Sequence, residues 1–344
     1  MNSVPELTIS RSALRSNIAA VAAHVAPSEV MLVVKDDAYR HGLDLVVQTA
    51  DDVRWFGSYD VATALRIRAL RGDARVFAWA IASGEEVASA ISADVDLGVG
   101  TVGYLQRVIE TAARLGRTAR VHLKIDTGLH RNGVRPEEWS GFVKTAMKAQ
   151  QRSDIHVVGV WSHLSEASDA DDDDSAAVFR AATAELRDAG AELEAEHLTA
   201  SAASWWRPEL RGTLSRIGAF CYGIRSGDGP QIPGVVPIAA LTASVDRVEA
   251  DRVEVGLGAL HGLPSTLVGQ VVSTPGGLRR ILHIGAHSSV VESWDAPEVG
   301  DRVRIYGAGE HGEADVTALG ERIGSIGEEI ALRLSPRVRR VVVD

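Results

Sequence analysis

From Ser10 to about Gly229 the chain alternates short apolar runs with longer stretches whose apolar residues recur at helical spacing. The runs predict strands at Val30–Lys35, Val53–Gly57, Arg75–Ala80, Val95–Val99, Arg120–Asp126, His156–His163, His197–Ala200 and Ile217–Gly223. Amphipathic stretches between them, such as Asp60–Arg71, Gly84–Ser92, Tyr104–Leu115 and Ala176–Ala189, predict helices. Eight strand-plus-helix units in succession are what a (β/α)8 TIM barrel requires. A doubly wound α/β sheet would alternate in the same way. However, no Gly-x-Gly-x-x-Gly is read as opening an early helix, so a dinucleotide fold has nothing to rest on.

After Pro230 the pattern changes. Short alternating runs at Ile238–Val248, Arg252–Leu257, Ser265–Ser273 and Arg302–Tyr306 are broken by turn signals such as Pro275-Gly276-Gly277 and Val299-Gly300-Asp301, which predicts a β-rich domain. With 344 residues, two domains are expected. The division is 11–230 for the barrel and 231–344 for the C-terminal β domain, with 1–10 as an N-terminal strand that packs on the latter.

Composition narrows the function. A formal net charge of −10 argues against a nucleic-acid or anionic-membrane surface. The single cysteine, Cys221, excludes an intrachain disulfide framework and a multi-cysteine zinc site, and no metal is expected. Met1 to Ser10 does not read as a signal peptide, and no apolar run approaches the length of a membrane span. A cytoplasmic protein is therefore expected. The acidic run Asp171–Asp174 reads as a solvated loop that leads into the next helix.

Catalytic residues of a (β/α)8 barrel come from the C-terminal ends of its strands. The polar residues closing the predicted strands are Lys35 and Tyr39; Lys124, Asp126 and Arg131; Ser162 and His163; His197, Thr199 and Ser201; and Arg216, Gly218 and Tyr222. Most strand-end lysines simply reach back to solvent. Desolvation would instead favour the neutral amine of Lys35, the form that condenses with a carbonyl. The basic residues in the set suit an anionic cofactor and a carboxylate substrate.

Six segments then resemble one family in order and nearly end to end: Val33-Val34-Lys35-Asp36-Asp37-Ala38-Tyr39-Arg40-His41-Gly42, Leu123 to Val134, Gly159 to Leu164, Thr199 to Ala203, Arg216 to Gly223 and Leu334 to Val338. The chain resembles the alanine racemase family, pyridoxal phosphate (PLP) enzymes of fold type III. The resemblance implies that Lys35 holds PLP as a Schiff base and moves the proton on one face of the substrate Cα. It implies phosphate contacts from Tyr39, Ser201 and the backbone at Gly218. Arg216 would face the pyridine nitrogen, with His163 beside the ring. Arg131 would lie near the substrate carboxylate, and Lys124 matches a lysine that relatives can carbamylate. A small-molecule amino acid is the implied substrate, and a homodimer with shared active sites the implied assembly.

The pattern breaks in the C-terminal domain. The family's second acid/base, a tyrosine, aligns with Val255, which cannot transfer a proton. A Gly-Tyr-Ala-Asp-Gly stretch is missing between Leu260 and Pro275, a Cys-Met-Asp stretch aligns with Ala286-His287-Ser288, and a phosphate-binding tyrosine aligns with Glu328. Two active readings follow: a racemase in which His287, or else His261 or Tyr306, is the substitute base, and a one-base PLP enzyme acting on one enantiomer. A non-catalytic PLP-binding protein is the third reading.

Overall fold

A computed structural model describes residues 4–344. The chain forms two compact units, neither of them a single stretch of sequence: Val21–Lys35 with Ala50–Gly218, and Met1–Ala20 with Asp36–Thr49 and Ala219–Asp344.

The chain opens with strand β1 (Glu6–Ser10), which belongs to the second unit. The first unit is the barrel. Its strands are β2 (Glu29–Val33), β3 (Trp55–Ser58), β4 (Arg75–Ala78), β5 (Asp96–Val99), β6 (Ala119–Lys124), β7 (Ile155–Trp161), β8 (Ala195–His197) and β9 (Leu214–Ile217). They pair in parallel in the order β8-β7-β6-β5-β4-β3-β2-β9. The ring closes between β8 and β9, where the Arg216 N–H donates to the Thr199 carbonyl (3.2 Å). Met31, Trp55, Phe77, Trp161, Ala195 and Leu214 fill the interior, as packed layers do in such barrels.

The eight strands fall where the apolar runs predict, with shifted ends. The first stops at Val33, before Lys35. The last two begin earlier than expected, and Ala219–Tyr222 is a 3-10 turn rather than strand. The acidic run is not a loop. Asp171–Asp174 lies in the first turns of the helix Asp169–Asp188, whose cap, Ser168 Oγ, accepts the Asp171 N–H (3.1 Å). Carboxylates there complement the helix dipole. A Gly-x-Gly-x-x-Gly does occur later, at 98–103, joining β5 to the helix Val102–Leu115. Gly98 serves packing: a Cβ there would lie 2.9 Å from the Phe77 ring and 3.0 Å from Trp161.

In the second unit β10 (Ala239–Val248), β11 (Arg252–Val255), β12 (Val271–Thr274), β13 (Gly277–Ile284), β14 (Ser289–Glu292) and β15 (Arg302–Tyr306) pair antiparallel around a closed ring. β1 adds to β10, and β16 (Arg339–Val343) pairs in parallel with β1. The first third of the predicted strand Ser265–Ser273 is a 3-10 turn, Ser265–Leu267, with strand only from Val271. No described helix is long and apolar enough to cross a membrane.

Candidate active site

The segment after Lys35 is the most unusual backbone in the molecule. Asp36, Asp37, Ala38, Tyr39 and Arg40 all have positive φ, between 53° and 66°, and form one turn of left-handed helix. Each such residue costs an L-chain about 1–2 kcal/mol, so the turn must be held from outside. It is tied internally by Arg40 N–H to the Asp36 carbonyl and Gly42 N–H to the Asp37 carbonyl (3.0 Å each). Asp37 Oδ1 accepts the Leu43 N–H (2.8 Å), and Asp37 Oδ2 pairs with Arg340. The His41 Nδ1–H donates to the Ala38 carbonyl (2.9 Å), and its ring stacks on Tyr222 at 5.1 Å. Tyr39 is buried beside Tyr222, and its hydroxyl is held well above its ordinary range, first by burial and then by the negative charge of Glu328.

In the barrel, Arg216 is 6 % exposed. It donates through Nη1 to the His197 carbonyl (2.5 Å) and through Nη2 to the carbonyls of Ser162 (2.7 Å) and Leu198 (3.0 Å). It also meets two imidazole nitrogens, His163 Nδ1 (3.1 Å) and His197 Nδ1 (3.2 Å). An arginine can only donate, so both nitrogens must accept, and both rings are neutral. Burial, then the charges of Arg216, Arg131, Lys124 and Lys35, hold the proton affinity of His163 far below its usual value. Four basic side chains thus act on one imidazole.

Lys124, at the end of β6, is buried with its Nζ 4.3 Å from the centre of the Trp161 ring, which also carries the Arg216 guanidinium at 5.5 Å. Burial, Arg216 and Arg131 bring its amine down to about 8, against the pull of Asp126. Arg131 is exposed, on a loop organised by Asp126, whose Oδ1 accepts the N–H groups of Gly128 (3.1 Å) and His130 (3.0 Å). Ser201 Oγ accepts the Gly218 N–H at 3.1 Å, so these two predicted phosphate contacts lie together.

A family model for the N-terminal domain of alanine racemase matches residues 9–226. The alanine racemase of Thermobifida fusca is 32% identical over 99% of this chain and 98% of its own length. That of Beutenbergia cavernae is 33% identical over 96% of each. The chain belongs to the alanine racemase family. The crystal structure of alanine racemase from D-cycloserine producing Streptomyces lavendulae overlays with a TM-score of 0.95 at 29% identity, covering 100% of this chain and 98% of that one. Alanine racemase from Streptomyces coelicolor A3(2) does so at 0.95 and 28%, covering 99% and 98%.

The donor set fits the cofactor of the alanine racemase family. Four basic side chains, Lys35, Lys124, Arg131 and Arg216, act together on His163, while Asp126 acts on Lys124 and Glu166 on Arg216 without reversing the downward shift of either. A phosphate dianion and a substrate carboxylate would balance that excess. The second unit carries the departures. Val255 is fully buried in β11, and Val255-Gly256-Leu257-Gly258 offers no group able to transfer a proton. Tyr306 is buried in the core, its hydroxyl held well above its ordinary range by burial, which removes it as a substitute base. His287 is exposed in the turn between β13 and β14, and His261, whose Nδ1 accepts the Gly258 N–H (3.0 Å), feels its charge. Sequence reading missed the role of Trp161 as the common floor for Lys124 and Arg216, although it lies within the Gly159 to Leu164 motif.

Proposed function

We propose that the chain is a PLP-dependent amino-acid racemase of the alanine racemase type, with Lys35 as the acid/base on one face of the substrate Cα. The observation that carries this is Arg216, a buried donor-only cation set among neutral imidazoles at the mouth of a family barrel. When bound, PLP supplies a carbonyl that captures amines and a conjugated ring that spreads the charge left at Cα. Lys35 would hold the cofactor and exchange a proton with Cα. Tyr39, Ser201 and the Gly218 N–H would hold its phosphate. Arg216 would face the ring nitrogen with no proton to give it at neutral pH, which would limit the ring as an electron sink and suit proton exchange over side reactions. The neutral His163 would pack beside the ring, and Arg131 would orient the substrate carboxylate.

The second acid/base is assigned to His287. Its exposed turn lets a second copy of the chain deliver it, which makes the functional unit a homodimer, and an imidazole can both donate and accept a proton. The aliphatic run at Val255 to Gly258 favours one competing reading, a one-base enzyme acting on a single enantiomer. The deciding experiment is Cα deuterium exchange by NMR on PLP-loaded protein with separate L- and D-amino acids. Exchange with inversion supports the racemase. Exchange of one enantiomer with retention assigns all the chemistry to Lys35 and overturns it.

A further inference from the structure

Behind Arg216 a line of buried polar groups crosses the barrel interior. His197 Nε2 lies 2.8 Å from His122 Nδ1, and His122 Nε2 lies 3.2 Å from Asp96 Oδ2. Asp96 also accepts from Arg120 (Nε 2.7 Å, Nη2 3.3 Å), and Arg120 reaches Glu194 at 2.7 and 3.0 Å. Asp96, His122 and His197 are 1 %, 0 % and 0 % exposed, inside a box of Phe77, Trp55 and Trp161. The barrel makes room for this line. A Cβ at Gly159 would fall 2.3 Å from His122 Nδ1, so a glycine is required there.

The two ends of the line fix its sense. Arg216 only donates and an ionised carboxylate only accepts. His197 therefore accepts at Nδ1 and carries its proton on Nε2. That proton goes to His122 Nδ1, and the His122 Nε2–H goes to Asp96. Any other placement puts two protons, or two lone pairs, face to face in a dry interior.

We infer that Asp96 and His122 are positioning residues for Arg216: the carboxylate sets the tautomer of His122, His122 sets that of His197, and His197 is thereby held as an acceptor that fixes the guanidinium toward the cofactor. This rests on the function proposed above, in which Arg216 faces the ring nitrogen.

The test reads ring-nitrogen protonation directly, by 15N NMR of full-length, cofactor-free protein carrying 15N-histidine, with signals assigned from His122→Gln and His197→Gln. The expected result is a bare Nδ1 and protonated Nε2 in both rings. A protonated Nδ1 in His197, or a doubly protonated His122, overturns the inference. In a second arm, His122→Phe keeps an aromatic ring but ends the line, whereas His122→Gln keeps one acceptor and one donor. His197 should exchange between tautomers in the Phe variant only. In loaded enzyme kcat should then fall on the order of tenfold with KM within about twofold, and the Gln variant should restore it. An unchanged His197 tautomer in His122→Phe overturns the inference even if turnover falls. If the wild-type protein turns over no amino acid, the proposed function fails while the nitrogen states still decide this point.

Discussion

Asp37 and Arg340, 303 residues apart, form an ion pair that pins the left-handed turn after Lys35 to β16. Exposed pairs of this kind contribute about 0–1 kcal/mol, but Asp37 also accepts the Leu43 N–H at 2.8 Å. Asp37→Ala should therefore lower the unfolding free energy by about 1–2 kcal/mol. Urea denaturation at low and high salt would check it, with most of the loss surviving salt.

His287→Gln should reduce racemisation by about 10²–10⁴-fold while the absorbance of bound cofactor stays the same. Chiral product analysis measures it. Unchanged turnover would leave His287 without a catalytic role.

Lys124 is proposed to take up carbon dioxide. Its amine, lowered to about 8 by burial and two arginines, is neutral in roughly a tenth of molecules at pH 7, enough to react. 13C NMR in labelled bicarbonate should show one carbamate signal that disappears in Lys124→Ala. A spectrum free of that signal would mean the lysine stays a plain cation over Trp161.

Acid should destabilise the fold through His41. Burial lowers its proton affinity to about 4, against about 6.5 in the unfolded chain. The unfolded state thus binds the extra proton between those values, and stability falls as pH drops through that window. The contribution is fully present above about pH 6.5, and about 3 kcal/mol is lost by about pH 4. His41→Asn keeps a donor for the Ala38 carbonyl but does not titrate, so its stability curve should be flatter over that range.

The barrel was legible because its strands are largely buried and read as apolar runs, as at Val30–Val34. Strand ends were less legible. Ile217–Gly223 is apolar throughout, yet Gly218 breaks the strand and a 3-10 turn follows, a distinction that hydrophobicity does not carry. Lys35, Arg216 and Ser201 were singled out from their motifs, whereas Asp96 and His122 were not. The one available signal was a charged residue inside the apolar run Val95–Val99, since a lone buried carboxylate demands partners. β13 went unpredicted because Arg279, Arg280 and His283 interrupt its apolar residues, and β14, Ser289–Glu292, and β16, Arg339–Val343, are too short to stand out.

The turn at 36–40 also limits which sequences can occupy it. Aspartate tolerates a positive φ better than most residues, and two of the five positions are aspartates, while valine, isoleucine and threonine are excluded by their branched Cβ. A saturation library over these positions should therefore be filtered by handedness rather than by hydrophobicity. Chemical synthesis offers the sharper case: D-alanine at position 38 would fit the observed backbone better than the natural residue, a mirror-image building block that stabilises the fold.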